Sequence, residues 1–128
     1  MKYTYIIPFL FAFSSLVYAQ DGPRLDDRDS LKFIFGKSYE LVNSSLTEYD
    51  FFIHLKGLDY ALINTTDQSE VEWTSPNPEL NGKVVMLSTK QEKDTICKNF
   101  METLAIKDKK YEGNAIVCYK DGHWVIRK

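Results

Sequence analysis

The sequence predicts an α+β fold in which one or two N-terminal helices pack on an antiparallel meander of about five strands, held by one disulfide bond. Three observations support this prediction. Apolar residues recur at helical spacing between Phe51 and Leu62, and the period becomes alternating after Thr66. The chain has two cysteines, Cys97 and Cys118, and they lie in segments that we predict to be neighbouring strands of one hairpin.

The first 19 residues have the layout of a secretory signal peptide. Lys2 is the only charge before an apolar stretch over 6–13, and Ala19 ends a cleavage site of the usual kind. Pro8 and the shortness of the stretch argue against a membrane anchor, which needs about 20 apolar residues. We therefore expect export to the periplasm or the outer cell surface, with no transmembrane span after cleavage. Gln20 would be the first mature residue, and because it is not cysteine we expect no lipid anchor.

The mature part has the size of one domain. We assign 20–30 to a flexible polar leader and 31–128 to a single α+β domain. The chain has 128 residues and a formal net charge of −2, without a block of five like charges, so a nucleic-acid partner is not expected. Aromatic residues make up 14% of the chain, which is enough to build a buried core.

Two helical segments are predicted before the sheet. A partial helical spacing over 31–42 is interrupted by Gly36. Thr47 followed by Asp50 is close to a capping box and predicts a helix from Glu48 to Ile63. Gly57 costs this helix about 1 kcal/mol relative to alanine unless close packing uses the gap. Its apolar stripe consists of Phe51, Phe52, Leu55, Leu58, Ala61 and Leu62.

The strands are predicted from alternation and turn residues. Val71 and Trp73 belong to a first strand, and the segment from Ser75 to Gly82 is a loop because it contains Pro76, Asn77 and Pro78. A strand over 83–90 leads to a polar turn over 91–94. Two longer strands follow, and Asp121-Gly122 predicts a two-residue hairpin turn before the last strand over 123–128.

Two independent signals predict the register of the last strands. Placing Cys97 opposite Cys118 puts Phe100 opposite Ala115, and the Asp-Gly turn puts Val117 opposite Ile126. Both registers send one apolar set to the same face, whereas an error of one residue would scatter it. That set is Phe100, Leu104, Ile106, Tyr111, Ala115, Val117, Tyr119, Trp124 and Ile126. The cysteines share the opposite face with Met101, Ile116 and Val125.

The two cysteines are predicted to form a structural disulfide. An exported chain meets an oxidising compartment, and closing a loop of this length contributes about 3 kcal/mol in the chain-entropy model. A redox-active pair and a pair of metal ligands are the alternatives. The chain has no Cys-x-x-Cys, and only His54 and His123 could complete a metal site, so no metal is predicted.

A set of residues from Trp73 onward follows in an order that is typical of one family. The set is Trp73, Asn77-Pro78, Gly82-Lys83-Val84-Val85, Cys97-Lys98-Asn99-Phe100, Thr103, Ile106, Gly113-Asn114-Ala115, Cys118 and Asp121-Gly122-His123-Trp124-Val125-Ile126. With these residues the chain resembles the bacterial 17 kDa surface-antigen family. Leu46-Thr47-Glu48-Tyr49-Asp50 and Leu58-Asp59-Tyr60-Ala61-Leu62 also resemble the helix that precedes the sheet in that family, so the resemblance covers 46–126. The cysteine separation and the final Asp-Gly-x-Trp are its most specific parts. The resemblance implies an envelope domain, often associated with the outer membrane, that has no established enzymatic activity.

The chain departs from that family in three places. It lacks the lipid-modified cysteine and the glycine-rich zipper of many relatives, and it has Tyr119 where the family has a basic residue after the second cysteine. Lipid attachment and any contact made through that charge are therefore not carried over.

The sequence predicts a binding or structural protein rather than an enzyme. No catalytic motif or phosphate loop is present, no cofactor is expected, and His54 lies nearer the flank of the helical stripe than its centre.

We expect an envelope protein partner to bind either the face with Met101, Ile116 and Val125 or the loop with Pro76, Asn77 and Pro78. The face could instead be covered by the segment 31–46. The alternatives are a periplasmic immunity or inhibitor protein that neutralises a toxin or hydrolase, and a small-ligand carrier with a cavity between helix and sheet.

Overall fold

The structure is a computed structural model, and it describes residues 21–128. The predicted signal peptide over 1–19 and the first residue of the predicted leader lie outside the described residues. Within 21–128, six strands form one antiparallel sheet in the order β1-β6-β5-β4-β3-β2. The strands are β1 (Asp21–Arg24), β2 (Glu70–Thr74), β3 (Leu80–Glu92), β4 (Thr95–Ile106), β5 (Lys109–Lys120) and β6 (His123–Arg127). The α+β class is thus confirmed.

Three helices precede β2 in the part of the chain that the structure describes. They are α1 (Ser30–Phe35), α2 (Tyr39–Ser45) and α3 (Glu48–Asn64), and a 3₁₀ turn over Gly36–Ser38 separates the first two. Gly36 has a φ of +53°, a conformation that glycine adopts at little cost, and the α1 helix ends there. The predicted interruption at Gly36 is therefore confirmed.

The leader differs from its prediction. Residues Asp21–Arg24 pair with β6 as the sixth strand, so the sheet exceeds the expected five strands and the helices are not the first elements. Leu25 is buried behind this strand, and its carbonyl accepts a hydrogen bond from the hydroxyl of Ser30. The pairing was not predictable because Gly22-Pro23 marks a turn more strongly than a strand.

The start of α3 agrees with the prediction. The Thr47 hydroxyl accepts from the backbone N–H of Asp50 at 3.0 Å, and the Asp50 carboxylate accepts from the N–H of Thr47 at 3.1 Å. The buried stripe is shifted, however, because Phe52 is 50% exposed and His54 is fully buried. The buried positions are Asp50, Phe51, His54, Gly57, Leu58, Ala61 and Leu62.

The predicted registers of the last three strands are confirmed. Cys97 pairs with Cys118 and Phe100 with Ala115, while Val117 pairs with Ile126. Asp121 and Gly122 both have positive φ, as a tight hairpin turn of this kind requires. Most of the predicted apolar set is buried or half-buried. Tyr119 is the exception, because it borders an open groove beside α3 and is 46% exposed.

The third strand is longer than predicted. β3 begins at Leu80, inside the expected loop, because Leu80 pairs with Ile106 of β4. Its register shifts between Met86 and Ser88, where the strand carries an irregularity of the β-bulge type.

All three helices lie on one side of the sheet, which we call the helix face. On α1, the backbone of Ile34 lies against Gly113, whose cross-strand neighbour Glu102 is hydrogen-bonded to His54 of α3. Directly opposed residues share a face, so α1 and α3 cover the same side. The segment 31–46 therefore packs on the helix face, and its residues 33–36 also border Met101 and Asn114 of the other side. We call that other side, which carries Cys97 and Cys118, the open face.

Two glycines let α3 approach the sheet. The ring of Trp73 lies between Gly57 of the helix and Gly82 of β3, and a Cβ added at either glycine would overlap the ring. Close packing thus uses the gap at Gly57, the condition under which this residue is tolerated inside a helix. No helix in the described part of the chain is both long and apolar enough to cross a membrane.

Gly57→Ala tests this contact. Overpacking costs about 1–3 kcal/mol, which exceeds the gain of about 1 kcal/mol in helix propensity. We expect a lower free energy of unfolding in urea, whereas Lys56→Ala, at an exposed neighbouring position, should change it by less than about 0.5 kcal/mol. A Gly57→Ala protein as stable as the parent would show that the Trp73 ring is not held against the helix.

Candidate functional site

The centre of the open face carries two exposed apolar side chains. Met101 of β4 and Ile116 of β5 are 36% and 37% exposed. They alternate with Asn99 and Asn114, whose side-chain amides share a hydrogen bond of 2.9 Å. Met101 pairs directly with Asn114, and Asn99 with Ile116, so these four side chains form one patch across two strands. We call this the central patch.

Val125, which was predicted to belong to the same binding surface, is not available. It is 8% exposed and pairs with Cys118, and β1 covers its other edge through Arg24. The open face therefore presents Met101 and Ile116 to a partner but not Val125.

The proline loop forms a second, separate surface. Pro76, Asn77 and Pro78 are all exposed, in the connection between β2 and β3. The Asn77 side chain accepts from the backbone N–H of Glu79 at 3.0 Å, and the Glu79 carbonyl accepts from the N–H of Lys107 at 2.8 Å. The loop is thus tied to the β4–β5 turn. Lys107 in that turn is six residues beyond Met101, about 20 Å at the usual rise of a strand, so the loop and the central patch are distinct.

The disulfide is confirmed, and it is covered. Cys97 and Cys118 are 3% and 2% exposed. Arg127 donates two hydrogen bonds to the carboxylate of Glu92, at 3.1 and 2.5 Å, and a third to the sulfur of Cys97 at 3.4 Å. This ion pair lies over the disulfide. A covered disulfide is a structural rather than an exchange-active one.

The same ion pair shifts the pKa values of both Glu92 and Arg127. The hydrogen bond from Arg127 holds the pKa of Glu92 below its ordinary value of 4.5, and the hydrogen bond to Glu92 raises the pKa of Arg127. The folded state therefore binds the Glu92 proton less readily than the unfolded state. This contribution to stability is fully present above pH 4.5 and is lost as the pH falls below it.

Inside the helix face, His54 and Glu102 form a buried pair. Both side chains are fully buried, and His54 Nδ1 lies 2.7 Å from Glu102 Oε2. The other ring nitrogen of His54, Glu102 Oε1 and the indole nitrogen of Trp73 have no hydrogen-bond partner in the described part of the chain. These polar groups fill the space between α3 and the sheet, which is where a small-ligand carrier would need its cavity.

Sequence reasoning missed this pair, although signals for both residues exist. His54 stands three residues after Phe51 and four before Leu58, within the helical stripe. Glu102 stands between Phe100 and Leu104, in the alternating set that faces the helices. Among residues 21–128, no group of three histidine, cysteine, aspartate or glutamate side chains is arranged to hold a metal ion.

These observations define a disulfide-bonded α+β domain with one face covered by helices and one face open. The chain matches no protein-family model, no curated protein and no solved structure.

A double-mutant cycle tests the buried pair. Removing one partner leaves an uncompensated buried group, so His54→Leu and Glu102→Leu should each lower the free energy of unfolding by about 3–5 kcal/mol. The double variant should lose much less than the sum of the two, because neither group is then left without its partner. Additive losses, measured by urea unfolding, would show that the two side chains do not interact.

Glu92→Gln tests the pH linkage. The variant should be less stable than the parent at pH 7, and the difference should shrink as the pH falls below 4.5, where the parent carboxylate becomes protonated. Unfolding curves at a series of pH values give this difference directly. Glu79→Gln, at an exposed carboxylate in the proline loop, is the matched control and should show no such trend. A constant difference between Glu92→Gln and the parent at all pH values would contradict the assignment.

Proposed function

We propose that this protein is an exported domain of the bacterial cell envelope, in the periplasm or on the outer cell surface, and that it acts by binding a partner protein. The buried disulfide supports export, because such bonds persist in oxidising compartments. The resemblance to the 17 kDa surface-antigen family over 46–126 supports an envelope location. No chemical step is part of this proposal.

The observation that carries the binding role is the uncovered central patch. Met101 and Ile116 expose apolar area on the side of the sheet opposite Phe100 and Leu104, and residues 33–36 of the α1 segment border Met101 and Asn114 along a shallow pocket. The amides of Asn99 and Asn114 flank them with donors and acceptors. An apolar centre bordered by polar groups has the anatomy of a protein–protein interface.

Charge around the central patch indicates the chemistry of the partner. Lys83 pairs with Thr103, the next residue after Met101 on this face, and it approaches the carboxylate of Glu70 only at 3.9 Å. Lys110 is exposed on the same face, without an ion-pair partner among the residues described. Glu112 pairs directly with Thr103, and Glu72 with Lys83, so carboxylates and ammonium groups alternate on this face. We therefore infer a partner with an apolar contact surface and a rim of mixed charge.

Site-specific photocrosslinking in the native host tests the proposal. A photoreactive phenylalanine analogue in place of Ile116 should yield one defined adduct in the envelope fraction. The same analogue in place of Leu41, which is 58% exposed on α2, should not yield that adduct. Adding Met101→Glu should abolish the adduct, since it places a charge in the apolar contact surface, while the disulfide and the unfolding midpoint stay unchanged.

Three outcomes would contradict the proposal. They are the same adduct from both positions, an adduct that survives Met101→Glu, and recovery of the protein outside the envelope fraction. An adduct whose second component is a secreted toxin or hydrolase would support the immunity or inhibitor function instead.

A further inference from the structure

A groove runs between the C-terminal half of α3 and the β5–β6 hairpin, with a volume of about 290 Å³. One wall is formed by Tyr119 and Trp124. Their rings meet edge to face with centroids 5.1 Å apart, and Tyr119 is 46% exposed. We call this the aromatic groove. It involves neither the central patch nor the proline loop.

The opposite wall comes from one line of residues on α3. Leu55, Asp59 and Ile63 follow at i, i+4 and i+8 and therefore lie one turn apart on the same side of the helix. A carboxylate is thus placed between two aliphatic side chains, across the groove from two aromatic rings. This arrangement suits a ligand that combines a positive charge with an alkyl chain.

The electrostatics of the aromatic groove leave one carboxylate free. Asp26, Arg24 and His123 also line it, and Asp26 accepts two hydrogen bonds from Arg24, at 3.1 and 2.9 Å, so these two charges offset each other. Asp59 has no hydrogen-bond or ion-pair partner among the described residues. Loss of hydration and, secondly, the charge of Asp26 raise the pKa of Asp59 above its ordinary value of 3.8. Asp59 is exposed at the groove, so its carboxylate is accessible to a cation in solution.

We propose that the aromatic groove binds an alkylammonium group, such as the side chain of a lysine presented by another molecule. Asp59 would contact the ammonium, Tyr119 and Trp124 would add a cation–π contribution, and Leu55 and Ile63 would pack on the alkyl stem. The proposal does not depend on the function proposed for the central patch, because the two sites share no residue.

A titration with small probes tests it on the purified, oxidised protein. Nα-acetyl-lysine N-methylamide, whose side-chain ammonium is free, should shift the indole N–H signal of Trp124 in two-dimensional NMR spectra. The signal of Trp73, which lies at the buried contact between Gly57 and Gly82, serves as an internal reference and should stay in place. N-acetyl-norleucine methylamide has the same stem without the ammonium and should cause no saturable shift.

Asp59→Asn tests how much the carboxylate contributes to probe binding, independently of the other groove residues. It should weaken lysine-probe binding at least fivefold, and it should not unfold the protein at neutral pH, because it removes a charge whose pKa is raised by folding. Asp108→Asn, in the exposed turn at the other end of the sheet, is the matched control and should leave the affinity unchanged. Equal shifts from both probes, an unchanged affinity in Asp59→Asn, or no movement of the Trp124 signal would overturn the proposal.

Discussion

The pairing of β4 with β5, which sets Cys97 opposite Cys118, is the constraint on which both surfaces of the protein depend. Side chains alternate between the two sides of a strand, so one register determines on which side of the sheet each side chain of the last three strands lies. It sends Phe100 and Leu104 under the helices and leaves Met101 on the open face. A displacement of one residue would exchange the core with the central patch. The disulfide fixes this choice covalently, and the ion pair between Glu92 and Arg127 covers it.

The contact between α3 and the sheet explains why binding is expected outside the core. Gly57 and Gly82 bring helix and strand so close that the ring of Trp73 fills the space between them. The pair of His54 and Glu102 fills the adjacent space with groups that partner each other at 2.7 Å. The helix face is thus occupied by the chain's own side chains. Concave or apolar surface remains at the edge of α3, where the aromatic groove lies, and on the open face.

Local signals predicted much of this fold, and contacts between distant parts of the chain account for the rest. The capping box at Thr47 and the Asp121-Gly122 turn are each formed by about four consecutive residues, so the helix start and the last hairpin were predictable. Strand β1 was not, since it pairs with the opposite end of the chain. The burial of His54 depends on a partner 48 residues away. The aromatic groove combines residues of α3 and the last hairpin, so no single segment contains its pattern, whereas Met101 and Ile116 followed directly from alternation.

Cross-strand nuclear Overhauser contacts in the oxidised protein test the register most directly. We expect contacts between Phe100 and Ala115 and between Val117 and Ile126. We also expect contacts between Ile34 and Gly113, which place α1 on the helix face. Contacts between the side chains of Phe100 and Ile116, in place of those between Phe100 and Ala115, would reveal a sheet displaced by one residue. In that case the assignments of core, central patch and disulfide cover would all be wrong.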